Sequence, residues 1–321
     1  MSPDPLKAAE GVEEPREIRL RHGQLQFLIR EILKRKRVPP ELASHTADAM
    51  VAANLAGEDA QGVATLPALV DGLSTRQIKR QPMMRLAGSS GGTAVLDGDH
   101  GPGPAVARRG MVEAISAANR HGVGAVAARR TGPPGYAAHF AAMALSHQMA
   151  GVALATARTP ALRGEEDPPP AHPVALGIAV PTAETAPPMI LNVTFPEQGG
   201  AAGADLALAL ESLLLLSGCA LAPDLHAQAR PEPLHAGGGQ LFLAFRIRAF
   251  APWAGFRNQM VERLKHLRRA RIGYPGQTAE SIEEQRRILG IPLDPPTAAE
   301  LGRLAAAAAL HDTWLRLTRP S

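Results

Sequence analysis

Glu58, Asp59 and Gln61 crowd one polar turn between two apolar stretches. Neighbouring carboxylates can divide acid and base roles when one of them is desolvated. The same turn also suits a solvated loop in which Asp59 bonds backbone amides. Arg129 and Arg130, followed by Tyr136, can hold an anionic substrate, or form a surface pair beside a packed Tyr. His172 is a candidate general base, and a lone His before Pro173 also reads as structural. His139 and His147 fall on one predicted helix, too far apart for i,i+4 ligation, and with no further His/Cys cluster no metal is expected. Cys219 sits in Ala/Leu-rich sequence and reads as a buried, inert thiol.

These side chains need elements to position them. Residues 17–36 carry Leu20, Leu25, Leu28, Ile29, Ile32 and Leu33 at helical spacing, and Pro39-Pro40 stop that helix. Helices are expected over 40–57 and 66–78, and the polar turn lies between them. Thr93 to Asp99 reads as a strand. It runs through His100-Gly101-Pro102-Gly103 into a helix over 104–121, a turn that can meet an anion through free N–H groups but lacks the GxGxxG spacing. Strands are expected at 123–128, 152–157, 174–180, 189–193 and 240–247, with helices at 136–149, 206–222 and 256–271. Arg163 to Pro170 reads as a surface loop. The stretch from Arg257 to Arg271 is a basic amphipathic helix. It reads as a packed helix with a wet basic face, or as a surface for nucleic acid or an acidic partner. The class is mixed α/β.

The segment Asn54-Leu55-Ala56-Gly57-Glu58-Asp59-Ala60-Gln61-Gly62-Val63-Ala64-Thr65-Leu66-Pro67 carries a resemblance. It is similar to the frame A-D-L-R-G-x-D-S-H-G-V-x-R-L-P of the malate/L-lactate dehydrogenase family of the non-Rossmann kind. That family also holds sulfolactate, ureidoglycolate and diketogulonate enzymes. The Asp97-Gly98 turn and the tail Tyr274-Pro275-Gly276…Gly290-Ile291-Pro292-Leu293 extend the likeness from about residue 17 to 312. It implies a helical region of residues 17–90 with 274–321 and a central α/β region of residues 91–273, after a tail of residues 1–16. It also implies a largely antiparallel central sheet and a homodimer, or a heterodimer with an active relative. Family members use NAD or NADP, with a Ser-His pair at the substrate carbonyl and an Arg on its carboxylate. Here Ala60, Gln61 and Thr65 stand at those positions. Arg130 replaces a second His, Asn192 an Asp, and Ala202 a cofactor-binding Lys, and the segment before Gly199 is nearly deleted.

Reduction of a carbonyl by a nicotinamide needs a proton donor at the oxygen, and a 2-oxo acid needs a cation. Gln61 and Thr65 supply neither. The expectation is therefore that family-type reduction has gone and that no cofactor is bound. Three readings follow: a pocket enzyme doing proton transfer, elimination or cyclisation on a small molecule; an inactive structural subunit; or an NAD(P)-dependent enzyme with a rebuilt site.

The chain has 321 residues, 45% of them hydrophobic and 3% aromatic, so the core must be mainly Ala, Leu and Val. A net charge of +4 is weak support for nucleic-acid binding, and none is expected. Residues 1–17 have no apolar run of signal-peptide type. The longest apolar stretch, 206–222, carries Glu211 and ends at Pro223, so it reads as a core helix rather than a membrane span. A cytoplasmic, soluble protein is the expectation.

Overall fold

The computed structural model describes residues 18–156, 173–182, 186–195, 201–217 and 239–319. The chain opens with a short strand, β1 (Ile18–Leu20), and two helices, α1 (His22–Arg35) and α2 (Pro40–Leu55). A polar turn leads from α2 to α3 (Leu66–Ser74). Leu25, Leu28, Ile29, Ile32 and Leu33 all face inward from α1, as their spacing requires.

The C-terminal elements return to this region. They are β9 (Ile291–Leu293), α9 (Pro295–Ala307) and α10 (His311–Leu317). β1 pairs antiparallel with β9, Ile18 opposite Leu293 and Leu20 opposite Ile291. One apolar core then joins Leu25, Leu28 and Leu66 to Ile291, Leu301 and Trp314. The first residues of the predicted first helix are thus a strand, because a partner lies across the chain at β9.

The second core lies on a seven-stranded sheet of order β2-β3-β4-β8-β5-β6-β7. Its strands are β2 (Arg85–Ser90), β3 (Thr93–Gly101), β4 (Val123–Thr131), β5 (Met149–Thr156), β6 (Val174–Val180), β7 (Met189–Phe195) and β8 (Gln240–Arg246). Only β3 and β4 run parallel, linked by the helix α4 (Gly103–His121); the other neighbours are antiparallel. The largely antiparallel expectation holds, and no doubly wound sheet is present. β2 joins this sheet ahead of residue 91.

Small residues let the helices sit directly on the strands. The core under α4 and α5 (Ala137–Ala142) is mostly alanine around Phe140, Met111 and Phe242. An added Cβ at Gly124 would collide with the Ala114 carbonyl, so α4 rests on bare β4 backbone. α5 is shorter than the helix expected over 136–149. It ends at Ala142, and a left-handed Gln148 turns the chain into β5. His139 and His147 therefore fall in different elements, not on one helix face.

Three more helices complete the described chain: α6 (Ala201–Leu214), α7 (Trp253–Arg269) and α8 (Gln277–Leu289). α6 is not the enclosed core helix expected. Ala207, Glu211 and Leu214 are buried, while Leu206, Leu208 and Leu213 are exposed. Of α7, only Leu264 is buried. The turn before α8 covers the sheet's edge: Ile190 N donates to the Pro275 carbonyl at 3.0 Å, and Tyr274 Oη to the Pro187 carbonyl at 3.3 Å. Among the described residues, no helix is long and apolar enough to cross a membrane.

Candidate active site

The polar turn after α2 is fixed by a buried amide. Asn54, 1% exposed, donates from Nδ2 to Asp59 Oδ1 at 2.6 Å and accepts from Val63 N at 2.9 Å. Gly62 lies against that amide, where a Cβ would collide with it. Arg286 of α8 grips Asp59 with both terminal nitrogens, at 2.7 and 2.9 Å, and also donates to the Asn54 carbonyl. Asp59 is thus a tie between turn and helix rather than one of a catalytic carboxylate pair. Thr65 donates to the Gly62 carbonyl at 2.7 Å, which closes the second half of the turn.

Glu58 and Gln61 face the other way. Gln61 Nε2 donates to Glu58 Oε2 at 3.2 Å, and Asn192 Nδ2 donates to Gln61 Oε1 at 3.4 Å. The Ala138 amide donates to Asn192 Oδ1 at 3.3 Å. All three contacts are long and neutral or half-neutral, so an incoming polar group can exchange with them at little cost. Tyr136 joins this group, packed on Ala53 and Ala138 with Ala56 and Ile190 beside it. Its hydroxyl has no hydrogen-bond partner among the described residues. Burial, then the charges of Glu58 and Glu283, push the phenol up to about 12.

The register of the sheet explains this convergence. Gly177 of β6 lies opposite Asn192 of β7. An added Cβ at Gly177 would strike the Ala138 backbone, so only glycine lets the start of α5 settle onto the sheet. Tyr136 stands at that start, and Asn192 accepts from the Ala138 amide in its first turn.

Arg129 and Arg130 belong to a different cluster, so the expected single anion site with Tyr136 is not formed. Arg130 makes a forked pair with buried Asp97, Nε to Oδ1 at 2.8 Å and Nη2 to Oδ2 at 2.5 Å. Burial raises the Asp97 carboxyl, but the Arg130 bonds, the Asp99 amide and the nearby Arg129 charge outweigh it and hold the group below its ordinary value. His172, Cys219 and the Arg163–Pro170 loop lie outside the described residues. Among the described residues no His/Cys/Asp/Glu group is placed to hold a metal ion.

Several residues of the site escaped the sequence reading, Asn54, Glu283 and Arg286, and Asn192 was read only as the replacement of a family Asp. Asn54 carried a signal, a lone amide amid Ala52, Ala53, Leu55 and Ala56 at a helix end. Arg286 carried none, since 227 residues separate it from Asp59.

Known proteins resemble this chain along most of its length. A sequence profile of the malate/L-lactate dehydrogenase family matches residues 20–195. L-sulfolactate dehydrogenase of Methanocaldococcus jannaschii is 28% identical over 307 residues, covering 81% of this chain and 89% of that protein. Malate dehydrogenase of Pyrococcus horikoshii is 33% identical over 149 residues, covering 46% of this chain and 41% of that protein. The Pyrococcus horikoshii structure superposes with a TM-score of 0.80 at 24% identity, over 94% of this chain and 98% of the other. The Methanocaldococcus jannaschii structure gives 0.79 at 25% identity, over 91% and 98%. These matches overturn the expectation that no cofactor is bound. The profile and the relatives are dehydrogenases, a family whose members use NAD or NADP, and the lost Lys and Asp positions do not outweigh that.

Proposed function

The chain belongs to the malate/L-lactate dehydrogenase family, and we propose that it is a nicotinamide-dependent oxidoreductase that reduces a carbonyl not flanked by a carboxylate. The observation that carries this reading is Tyr136. It is a neutral phenol with no hydrogen-bond partner among the described residues, near enough to feel the charge of Glu58, which Gln61 bonds in the position where the family keeps a His. With the phenol pushed up to about 12, Tyr136 keeps its proton throughout the working pH range. An alkoxide is a stronger base than a phenolate, so proton transfer from Tyr136 to the reduced oxygen runs downhill. Gln61 can donate a second hydrogen bond to that oxygen by giving up its 3.2 Å contact with Glu58.

The donor set fits the cofactor in chemistry. The Gln61 and Asn192 amides complement a carboxamide, and Ala53, Ala138 and Ile190 give a ring an apolar wall. When bound, NADH or NADPH supplies the hydride. The substrate class follows from charge. Thr65 is tied into its turn, Arg286 into Asp59 and the fork of Arg130 into Asp97, so a carboxylate next to the reacting carbon finds no free guanidinium at Gln61. On this reading family-type reduction of simple 2-oxo acids is lost.

The test combines a fluorescence titration of NADH and NADPH with turnover of Tyr136→Phe. Binding with turnover reduced about a hundredfold to ten-thousandfold supports the assignment. A Phe variant as fast as the unaltered protein would remove Tyr136 from it.

A homodimer is proposed alongside. α7 buries only Leu264 fully among its seventeen residues, and helices in proteins draw most of their stability from packing one face, so a second copy covering α7 would supply what this chain does not. Light scattering at micromolar concentration checks it, and a monomer there would sink it.

A further inference from the structure

Around β3 and β4 the backbone is strained in an ordered way. These two strands form the sheet's parallel pair, and ligands of α/β proteins gather beyond the carboxyl ends of such strands. There, Asp99 (φ 49°), His100 (φ 57°) and Arg130 (φ 50°) all take the left-handed conformation, which is unfavourable for a non-glycine residue. Other contacts hold them in it. Lys79 Nζ donates to Asp99 Oδ1 at 2.6 Å, Met83 N to Asp99 Oδ2 at 2.9 Å, and Lys79 N to the His100 carbonyl at 2.8 Å. α4 begins just beyond, at Gly103, but Pro104 has no N–H and the Ala105 and Val106 amides donate to the Pro102 carbonyl at 3.0 and 3.1 Å, so the arginines are the donors here.

The side chains at this rung are unevenly matched. Asp97 and Arg129 are register partners, so both lie on one face of the sheet. Asp97 is taken by Arg130 and by the Asp99 amide. Arg129 is left with no hydrogen bond or ion pair among the described residues, although its Nε is buried from water. Arg130 keeps Nη1 unpartnered. Lys79, Arg129 and Arg130 face Asp97 and Asp99, an excess of one positive charge. Burial first, then Arg130 and Lys79, push the His100 imidazole down, which favours its neutral form, so it adds no charge of its own to that excess. A buried guanidinium donor without an acceptor is a costly arrangement unless something fills it.

We infer that Arg129 and Arg130 form a binding subsite for an oxyanion group, a phosphate or sulfonate, at the carboxyl ends of β3 and β4. Such a group offers several acceptors in different directions. The buried Arg129 Nε and the free edge of Arg130 are the donors it can take. The group is distinct from a carboxylate beside the reacting carbon, because Tyr136 and Gln61 form a separate cluster from these arginines.

Inorganic phosphate is the probe, titrated calorimetrically against sodium chloride at equal ionic strength. The titration needs no turnover, so it stands or falls apart from the reaction proposed above. The expected result is saturable phosphate binding that weakens by at least about tenfold in Arg129→Gln. Arg129→Lys, which keeps the charge but not the buried Nε donor, should fall between the two. Thermal unfolding checks that both variants remain folded. Adding NADH to the same cell separates the sources. Displacement assigns the subsite to the cofactor's own phosphates, and undisturbed phosphate binding assigns it to a group on the substrate. Binding no stronger than that of chloride, or equal in Arg129→Gln, would overturn the inference.

Discussion

Replacing His139 with leucine should remove a large part of the protein's acid sensitivity. His139 lies edge-on to Phe140, ring centroids 5.0 Å apart. Burial lowers its imidazole to about 4, with Arg108 pushing the same way and Asp48 opposing. In the unfolded chain the group titrates near its model value of 6.5. Below that pH the unfolded state binds a proton that the folded state refuses. The penalty is therefore absent above 6.5, grows as pH falls, and levels off below about 4. Between pH 7.5 and 4.5 this amounts to roughly 2–3 kcal/mol. Urea unfolding at several pH values measures it. The unaltered protein should lose roughly 2–3 kcal/mol more over that interval than His139→Leu does. A residual slope is expected in the variant from His45, lowered by burial and Arg108 against the pull of Glu41 and Asp48. Identical pH dependence in the two proteins would show that His139 titrates normally when folded and that its surroundings are wetter than described.

Breaking the tie between the turn and α8 gives a second check. Arg286→Met and Asp59→Asn should each destabilise by roughly 1–2 kcal/mol, a range discounted because the Asp59 side chain is 42% exposed. The double variant should be little worse than either single one; additive losses would mean that the pair is not coupled. Gly177→Ala should cost roughly 1–3 kcal/mol in urea unfolding, since its Cβ meets the Ala138 backbone. It should also slow turnover more than it weakens cofactor binding, because it displaces the start of α5 and Tyr136 with it. A stable variant with unchanged turnover would argue against that placement.

Much of the framework was legible in the sequence because periodicity and breakers act locally. Leu25 to Leu33 on α1, the stop at Pro39-Pro40 and the strand over β8 all appear as read. What depended on distant partners did not. β1 forms only because β9 lies beside it, 271 residues on in the Arg19 to Gly290 contact. The exposed strand β2 has no apolar alternation to reveal it. The site divides in the same way. Glu58 and Gln61 could be named from the turn itself, whereas the fate of Asp59 required Arg286 on α8. Grouping Tyr136 with Arg129 and Arg130 followed sequence proximity, but left-handed Arg130 and the turn after it send the two to different partners.

The central claim, reduction of a carbonyl that lacks a neighbouring carboxylate, is tested most directly by one ratio. Pyruvate and methyl pyruvate share their reacting ketone and differ in the charge beside it. With NADH or NADPH as reductant, kcat/KM for methyl pyruvate should exceed that for pyruvate by at least about tenfold, since the ionised group meets no free guanidinium at Gln61. Equal values, or a preference for pyruvate, would mean that the chain still grips a 2-oxo acid and would contradict the account.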